Sequence, residues 1–399
     1  MSVAAKHHGG PRAIQRIAGL FHGAVQELKV PTERRVPFLD GLRAIAVLLV
    51  VNGHLGEAFS TAHGSNFYTR FPVTLDGWFG VDLFFVLSGY FIGSQLWREL
   101  DRTGTISIGN FIIRRGLRIW PLYVFMFLAV SVFGSHEYLV LREHGWSDLV
   151  FLTNYLPYGI VMGSWSLCSE EHFYIVTPLL LFLIGKRSLR SYRWGLIGLL
   201  VAEVIVRGAT YAHFSGGIFV RDTHAFRHIY YPFHTHCDGL IAGLILANAT
   251  VDKSFRMPGW AKPWLLVVVG LFAAACSVVV NREILYFFGF AMLFASLAWF
   301  GIKSAPQFFR SHVFYVLSRL SFGMYLNHEY MSDWVVTKPV QALGLLHLGA
   351  VGASAVSFAI LTVLSMGLSA VTFCLVEHPF LVWRTAILQR RATPHLVAH

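Results

Sequence analysis

The stretch FLDGLRAIAVLLVVNGH (38–54) decides the fold class. Between Arg43 and Asn52 it is wholly apolar, and with its flanks it approaches the roughly 20 residues that cross a bilayer as a helix. Working outward, comparable runs recur at about 78–97, 117–135, 172–185, 194–212, 228–249, 263–281, 284–302, 314–335 and 348–375. Hydrophobic residues make up 55% of the 399-residue chain and charged residues only 13%, where a soluble domain carries about a quarter. The few charges gather between the runs, which a large soluble core would not arrange. The reading is an all-α polytopic membrane bundle of about ten transmembrane helices.

Charge sets its orientation. Of the 32 lysines and arginines, 23 fall in the predicted cytoplasmic segments and six in the outer loops, with Arg43, Arg207 and Arg319 inside helices. Positive-inside bias therefore places both termini in the cytoplasm. The segment 148–163 (DLVFLTNYLPYGIVMG) is apolar but broken by Pro157 and Gly159. Counting it as a span would put KRSLRSYR (186–193) outside, so it is read as re-entrant or interfacial, a course allowed where protein covers the backbone. The net charge of +11 is thereby explained without nucleic acid, and residues 1–37 read as a solvated basic arm touching anionic lipid. No apolar stretch precedes Phe38, so no cleavable signal is expected. Four dispersed cysteines imply neither disulfides nor zinc. There is no internal repeat and no room for a second globular domain; residues 381–399 read as a basic cytoplasmic tail.

Ionisable groups at membrane depth are functional candidates. Arg43 and His54 lie eleven residues apart, on nearly the same helical face and roughly 16 Å apart along the axis, too far to touch but suited to opposite ends of one polar passage. Snorkelling and packing are the bland readings of the two. Asp82 and Asp238 each require a buried partner, and Glu203 and Arg207, four apart, read as an internal ion pair. Arg114, Arg115 and Arg118 cluster at the mouth of the third run, where guanidinium forks suit phosphate as well as topology. GSWSLCSEEHFY (163–174) is dense in polar and aromatic groups, Trp165, Ser166 and Glu170 among them, although acids at a helix start are also ordinary. HTHCDG (234–239) is placed inside the sixth helix, where residues two apart diverge, so no metal is expected. The H-x4-D pair His328 and Asp333 is read as coincidence.

These residues together resemble the acyltransferase-3 family of bacterial membrane O-acyltransferases. The landmarks are FLDGLRAIAVLLVVNGH, WFGVDLFFVLSGYFIG, RRGLRIWP, SWSLCSEEHFY, HCDGL, SFGMYLNH and VEHPF, in the family's order between Phe38 and about Phe380. The resemblance implies a membrane domain over 38–380 in the bacterial inner membrane, an acyl-CoA donor on the cytoplasmic side, and glycan, glycolipid or secondary-metabolite acceptors. It makes His54 the catalytic base of an Arg-x10-His motif and Arg115 and Arg118 an Arg-x-x-Arg motif for the CoA phosphates, with Arg43 on the same path. Ser88-Gly89-Tyr90 and Glu170 match further motifs. Glu170 or Asp82 is expected to orient His54, while Ser88, Tyr90, Trp165, Ser166, Asp238 and Tyr325 are expected on the substrate side. Phe322, Asn327 and His236 depart from the family pattern, which bears on the acceptor. Acetyl is the expected group, with succinyl and longer chains open. The acceptor expected first is an exopolysaccharide or lipid-linked sugar, then a macrolide hydroxyl. A secondary transporter is the competing class, opposed by the missing repeat.

Overall fold

The computed structural model describes residues 10–31, 35–63, 77–133, 145–156, 159–217, 222–257, 262–280, 282–304 and 306–392, and among them there is helix but no strand. The decisive stretch lies in α2 (Pro37–His63), preceded by α1 (Gly10–Lys29) and followed by α3 (Trp78–Thr103) and α4 (Ile108–Phe133). Then come α5 (Ser164–Ile184), α6 (Leu189–Ser215), a short α7 (Thr223–Tyr230), α8 (Asp238–Val251), α9 (Pro263–Val280), α10 (Arg282–Ser304) and α11 (His312–Ala342). Finally α12 (Gly349–Thr372) runs through a π-helical turn (Phe373–Glu377) into α13 (His378–Ala392).

Seven helical stretches among the described residues are long and apolar enough to cross a membrane: α2 to α6, α10 and the joined α12–α13. Two more, Asp238–Val251 and Pro263–Cys276, are apolar but shorter, and α11 is long but carries Arg319, His328, Glu329 and Asp333. Small residues set the closest packing. A methyl on Gly89 would strike the Leu240 carbonyl, and one on Gly243 the Val86 carbonyl, so α3 and α8 meet backbone to backbone. Trp97 of α3 donates its indole N–H to the Leu244 carbonyl at 3.1 Å, fixing that register. Gly80 likewise lets α3 lie against Ala46 and Val50 of α2. The outward faces of α5 and α6 stay apolar, with Leu183, Trp194 and Ile205 more than half exposed.

Two expectations are corrected, and two terminal segments show helix where the sequence reading named only basic charge. The predicted sixth helix, 228–249, is broken between Tyr230 and Asp238, because Pro232 cannot continue a helix and His236 turns its ring inward instead. HTHCDG therefore straddles a helix start and does not lie mid-helix. α4 begins nine residues before the predicted position, so Arg114, Arg115 and Arg118 sit on helix and not in a loop. The basic arm is helical over Gly10–Lys29, and its end is tied down: Tyr315 donates to the Glu27 carbonyl at 2.6 Å, and Arg319 pairs with the Glu27 carboxylate. The basic tail is helical to Ala392 and packs on α4.

The 148–163 stretch contains only a four-residue helical turn, Trp146–Leu149, among its described residues. It is only partly covered: Leu149, Val150 and Tyr155 are about half exposed, Asn154, Ile160 and Val161 are buried, and turn hydrogen bonds such as Leu156 N–H to the Leu152 carbonyl satisfy part of its backbone. Asp148 is fully buried and accepts from the Ile160 N–H at 2.7 Å and the Tyr123 hydroxyl at 3.0 Å. Burial pushes the Asp148 carboxyl above its ordinary range, and those hydrogen bonds partly oppose the shift. Residues 160–162 are stitched to α11 through the Tyr330 hydroxyl, which donates to the Ile160 carbonyl and accepts from the Met162 N–H.

Candidate active site

The Arg43 end of α2 opens into a cavity of about 740 Å³ lined by six arginines from four helices: Arg43, Arg114, Arg115, Arg118, Arg319 and Arg384. Glu170 is the one carboxylate in that lining. Two of the arginines are engaged elsewhere, Arg114 with Glu99 at 3.3 Å and Arg319 with Glu27. Arg115 donates to Gln95 at 3.0 Å and lies over the rings of Phe111 and Tyr174. Among the described residues, Arg43, Arg118 and Arg384 have no carboxylate within ion-pair distance. So much unneutralised positive charge within helices is costly, and a polyanion is what would balance it. A second basic chamber of about 800 Å³, reaching Tyr90, Arg98 and Arg102, adjoins through Arg43, Arg114 and Arg319.

Adjoining this cavity lies a narrow neck of about 70 Å³. The two share Arg43, Phe84, Leu167, Glu170 and Phe322, and the neck continues to Ser166 and Tyr325. Its wall is tied by a hydrogen-bond chain: Tyr174 donates to Glu170 at 2.6 Å, and Ser88 meets the Tyr174 hydroxyl at 2.8 Å. α5 can present Ser166, Leu167 and Glu170 together because it starts abruptly after Gly163, whose φ of +69° suits glycine. The hydroxyls of Tyr325 and Ser166 bond each other, and Tyr325 also reaches the Gly163 carbonyl at 3.0 Å.

Beyond Tyr325 lies His328, with ring centroids 6.1 Å apart, and then His54. His54 Nδ1 is 2.9 Å from His328 Nε2 and 3.2 Å from the Val50 carbonyl, while its Nε2 stands 3.8 Å from the Glu329 carboxylate. The His54 side chain is 30% exposed and that of Glu329 21%, so both face a solvent-accessible opening. His328 is fully buried.

A family profile described as an acyltransferase domain matches residues 36–374. The chain belongs to the acyltransferase-3 family. It is therefore a multi-pass membrane member of an acyltransferase family. It is 32% identical over 235 residues to a peptidoglycan O-acetyltransferase of Listeria monocytogenes, covering 54% of this chain and 34% of the relative. A Staphylococcus aureus (strain COL) protein named as a candidate O-acetyltransferase is 30% identical over 230 residues, covering 54% and 35%. A candidate peptidoglycan O-acetyltransferase of Bacillus subtilis is 34% identical over 180 residues, covering 41% and 26%. The chain thus spans about a third of the length of these curated relatives. No solved structure matches it.

Against the family motifs, the geometry gathers Arg43, Arg115, Arg118, Ser88 and Glu170 around one cavity and Ser166 and Tyr325 along its neck. Neither acid expected to orient His54 does so. Asp82 is bound by His236 Nε2 at 2.8 Å, and Glu170 by Tyr174. Asp238 is wholly buried and takes a two-pronged bond from Arg207, at 2.5 and 2.9 Å, so it braces α6 against α8 and lines neither cavity nor neck. The expected Glu203–Arg207 pair is present at 3.7 Å as its outer member. Trp165 stacks on His236 and Tyr230, outside the neck. Tyr90 is buried and lines the second chamber.

Sequence reasoning missed His328, Glu329, Arg319 and Arg384. Reading the H-x4-D pattern as coincidence sets His328 aside along with Asp333, whereas both ring nitrogens of His328 are used, by Met324 and His54. The usable signal was the stripe Phe322, Tyr325, Glu329, three and four apart on α11.

Proposed function

We propose that the protein transfers an acetyl group from acetyl-CoA to a hydroxyl of a glycan at the bacterial cytoplasmic membrane. The observation that carries this is a many-arginine cavity narrowing into a neck that ends at Tyr325, one turn of α11 from the paired His328 and His54. CoA has that shape: an anionic nucleotide head, a long thin arm, and the reactive thioester at its end. In this reading Arg43, Arg115 and Arg118 hold the phosphates, and the arm passes Glu170 and Tyr325 towards His54. The positive-inside bias puts the arginine cavity on the cytoplasmic side, where acyl-CoA is made. About ten spans with both termini inside complete the topology.

At the far end, His54 Nε2 accepts the proton of the acceptor hydroxyl as its oxygen attacks the thioester carbonyl. The new C–O bond forms, the C–S bond breaks, and the thiolate leaves, taking up the proton from the His54 imidazolium to depart as free CoA. Glu329, 3.8 Å from Nε2, faces the imidazolium charge while it exists. Relatives named for peptidoglycan O-acetylation support a glycan acceptor. Since the match covers only about a third of those relatives' length, a further protein could receive the group after this chain has carried it. The test is direct: the detergent-solubilised protein should bind CoA and, given acetyl-CoA and muropeptide or exopolysaccharide, form O-acetyl product seen by mass spectrometry. Failure to bind CoA would overturn the reading and return the transporter class.

A further inference from the structure

The geometry points to His328 as the positioning residue of His54: a buried imidazole that fixes which nitrogen of His54 carries the proton. This rests on His54 being the base.

The argument follows from which atoms are able to donate. The Met324 carbonyl only accepts, so His328 Nδ1, 2.9 Å away, must hold a hydrogen. A neutral His328 then presents a lone pair at Nε2. Across 2.9 Å from that lone pair stands His54 Nδ1, which must therefore donate. The Val50 carbonyl, 3.2 Å from the same Nδ1, makes the same demand independently. Two bonds run in one direction, from His54 through His328 to the backbone of α11, the third is shared from the same Nδ1–H to the Val50 carbonyl of α2, and together they leave the lone pair of His54 on Nε2. Nε2 is the nitrogen on the exposed side, facing Glu329.

The opposite arrangement fails at every step. A hydrogen on His54 Nε2 in place of Nδ1 would set two lone pairs against each other at 2.9 Å and leave the Val50 carbonyl facing a third. A doubly protonated His328 would reverse its bond to His54 and place a cation in a fully buried site. Asn327, next to His328, is locked by Ser365 and Ser369, so α11 cannot easily turn to relieve either conflict. His328 thus does for His54 what a buried carboxylate does in a Ser-His-Asp triad: it selects the tautomer and the ring orientation. Here the orienting group is neutral, and the compensating negative charge is on Glu329, on the other side of the ring.

The test uses the full-length protein in nanodiscs, labelled with ¹⁵N-histidine, in three forms: wild type, His328→Leu and His328→Gln. The glutamine amide offers an acceptor oxygen near the place of Nε2. In the wild type, the His54 resonance, assigned by its loss in His54→Ala, should show the Nδ1–H form. His328→Leu should lose that signature and reduce kcat on the order of 10- to 100-fold, below the ~10⁴ that a wrong tautomer costs a protease triad. Its donor KM should stay at the wild-type value, which also reports an intact fold. His328→Gln should recover the signature and most of kcat. An unchanged tautomer or an unchanged kcat in His328→Leu overturns the inference, as does equal loss in both variants. The underlying reading fails separately, if His54→Ala itself retains full turnover.

Discussion

At the Arg43 end of α2, six guanidinium groups surround an open chamber of about 740 Å³. Eleven residues along the same helix, His54 stands beside one carboxylate and one further histidine. The first region is built for strength of attraction: broad, highly charged, assembled from four helices, and tolerant of exact placement because each point charge acts over several ångströms. The second is built on direction. Its three hydrogen bonds involve two rings and two backbone carbonyls, and a rotation of either ring would undo it. On the proposed function, binding and chemistry are separated along one helix, and damage to each should have a different kinetic signature.

The largest expected effect is at the directional end. His54→Ala should lower kcat roughly 10²- to 10⁴-fold while CoA still binds, measured by turnover and by calorimetry on one preparation. Loss of binding together with turnover would merge the two regions into one. At the other end, Arg115→Ala with Arg118→Ala should raise the donor KM by about tenfold for each guanidinium that contacts phosphate. Acceptor kinetics should be unaffected, and a pure kcat effect would contradict the division. The neck offers a sharper cut. Leu167→Trp should block passage of the arm, so that turnover falls while CoA binding persists; undiminished turnover in this variant would refute the route. The smallest effect is expected from Glu27→Gln, which frees Arg319. An exposed ion pair contributes about 0–1 kcal/mol, so CoA affinity should tighten by no more than a few-fold, visible in a binding isotherm at low salt.

Most of the arginine end was legible in sequence because its members are close in the chain. Arg115 and Arg118 declare a shared face by their spacing, and Arg43 and His54 do the same on α2. Arg319 and Arg384 come from helices roughly 200 and 270 residues further along the chain, and nothing in their local spacing reports a common cavity. His328 was overlooked for a related reason. Its partner lies 274 positions earlier, and the one local pattern it belongs to, with Asp333, reads as coincidence. The buried carboxylates misled differently. That Asp82, Glu170 and Asp238 need partners follows from elementary cost, but which partner each takes depends on helix packing: His236, Tyr174 and Arg207 in turn. The missed break at Pro232 and the late start given to α4 share another cause. Hydropathy reports depth in a bilayer, not where a helix begins or ends.

The neck has a consequence for the cell that houses such a protein. Any passage joining the two faces of an energised membrane, with a proton acceptor near one mouth, is a possible short circuit for the proton-motive force. On the proposed route of the acyl arm the path narrows to about 70 Å³ beside a guanidinium, where Glu170 is held by Tyr174, itself bonded to Ser88. A fixed cation at a constriction repels hydronium, as it does in water-conducting pores. Arg43 is therefore placed to act as an insulator as well as a ligand, keeping the membrane's electrical seal between turnovers.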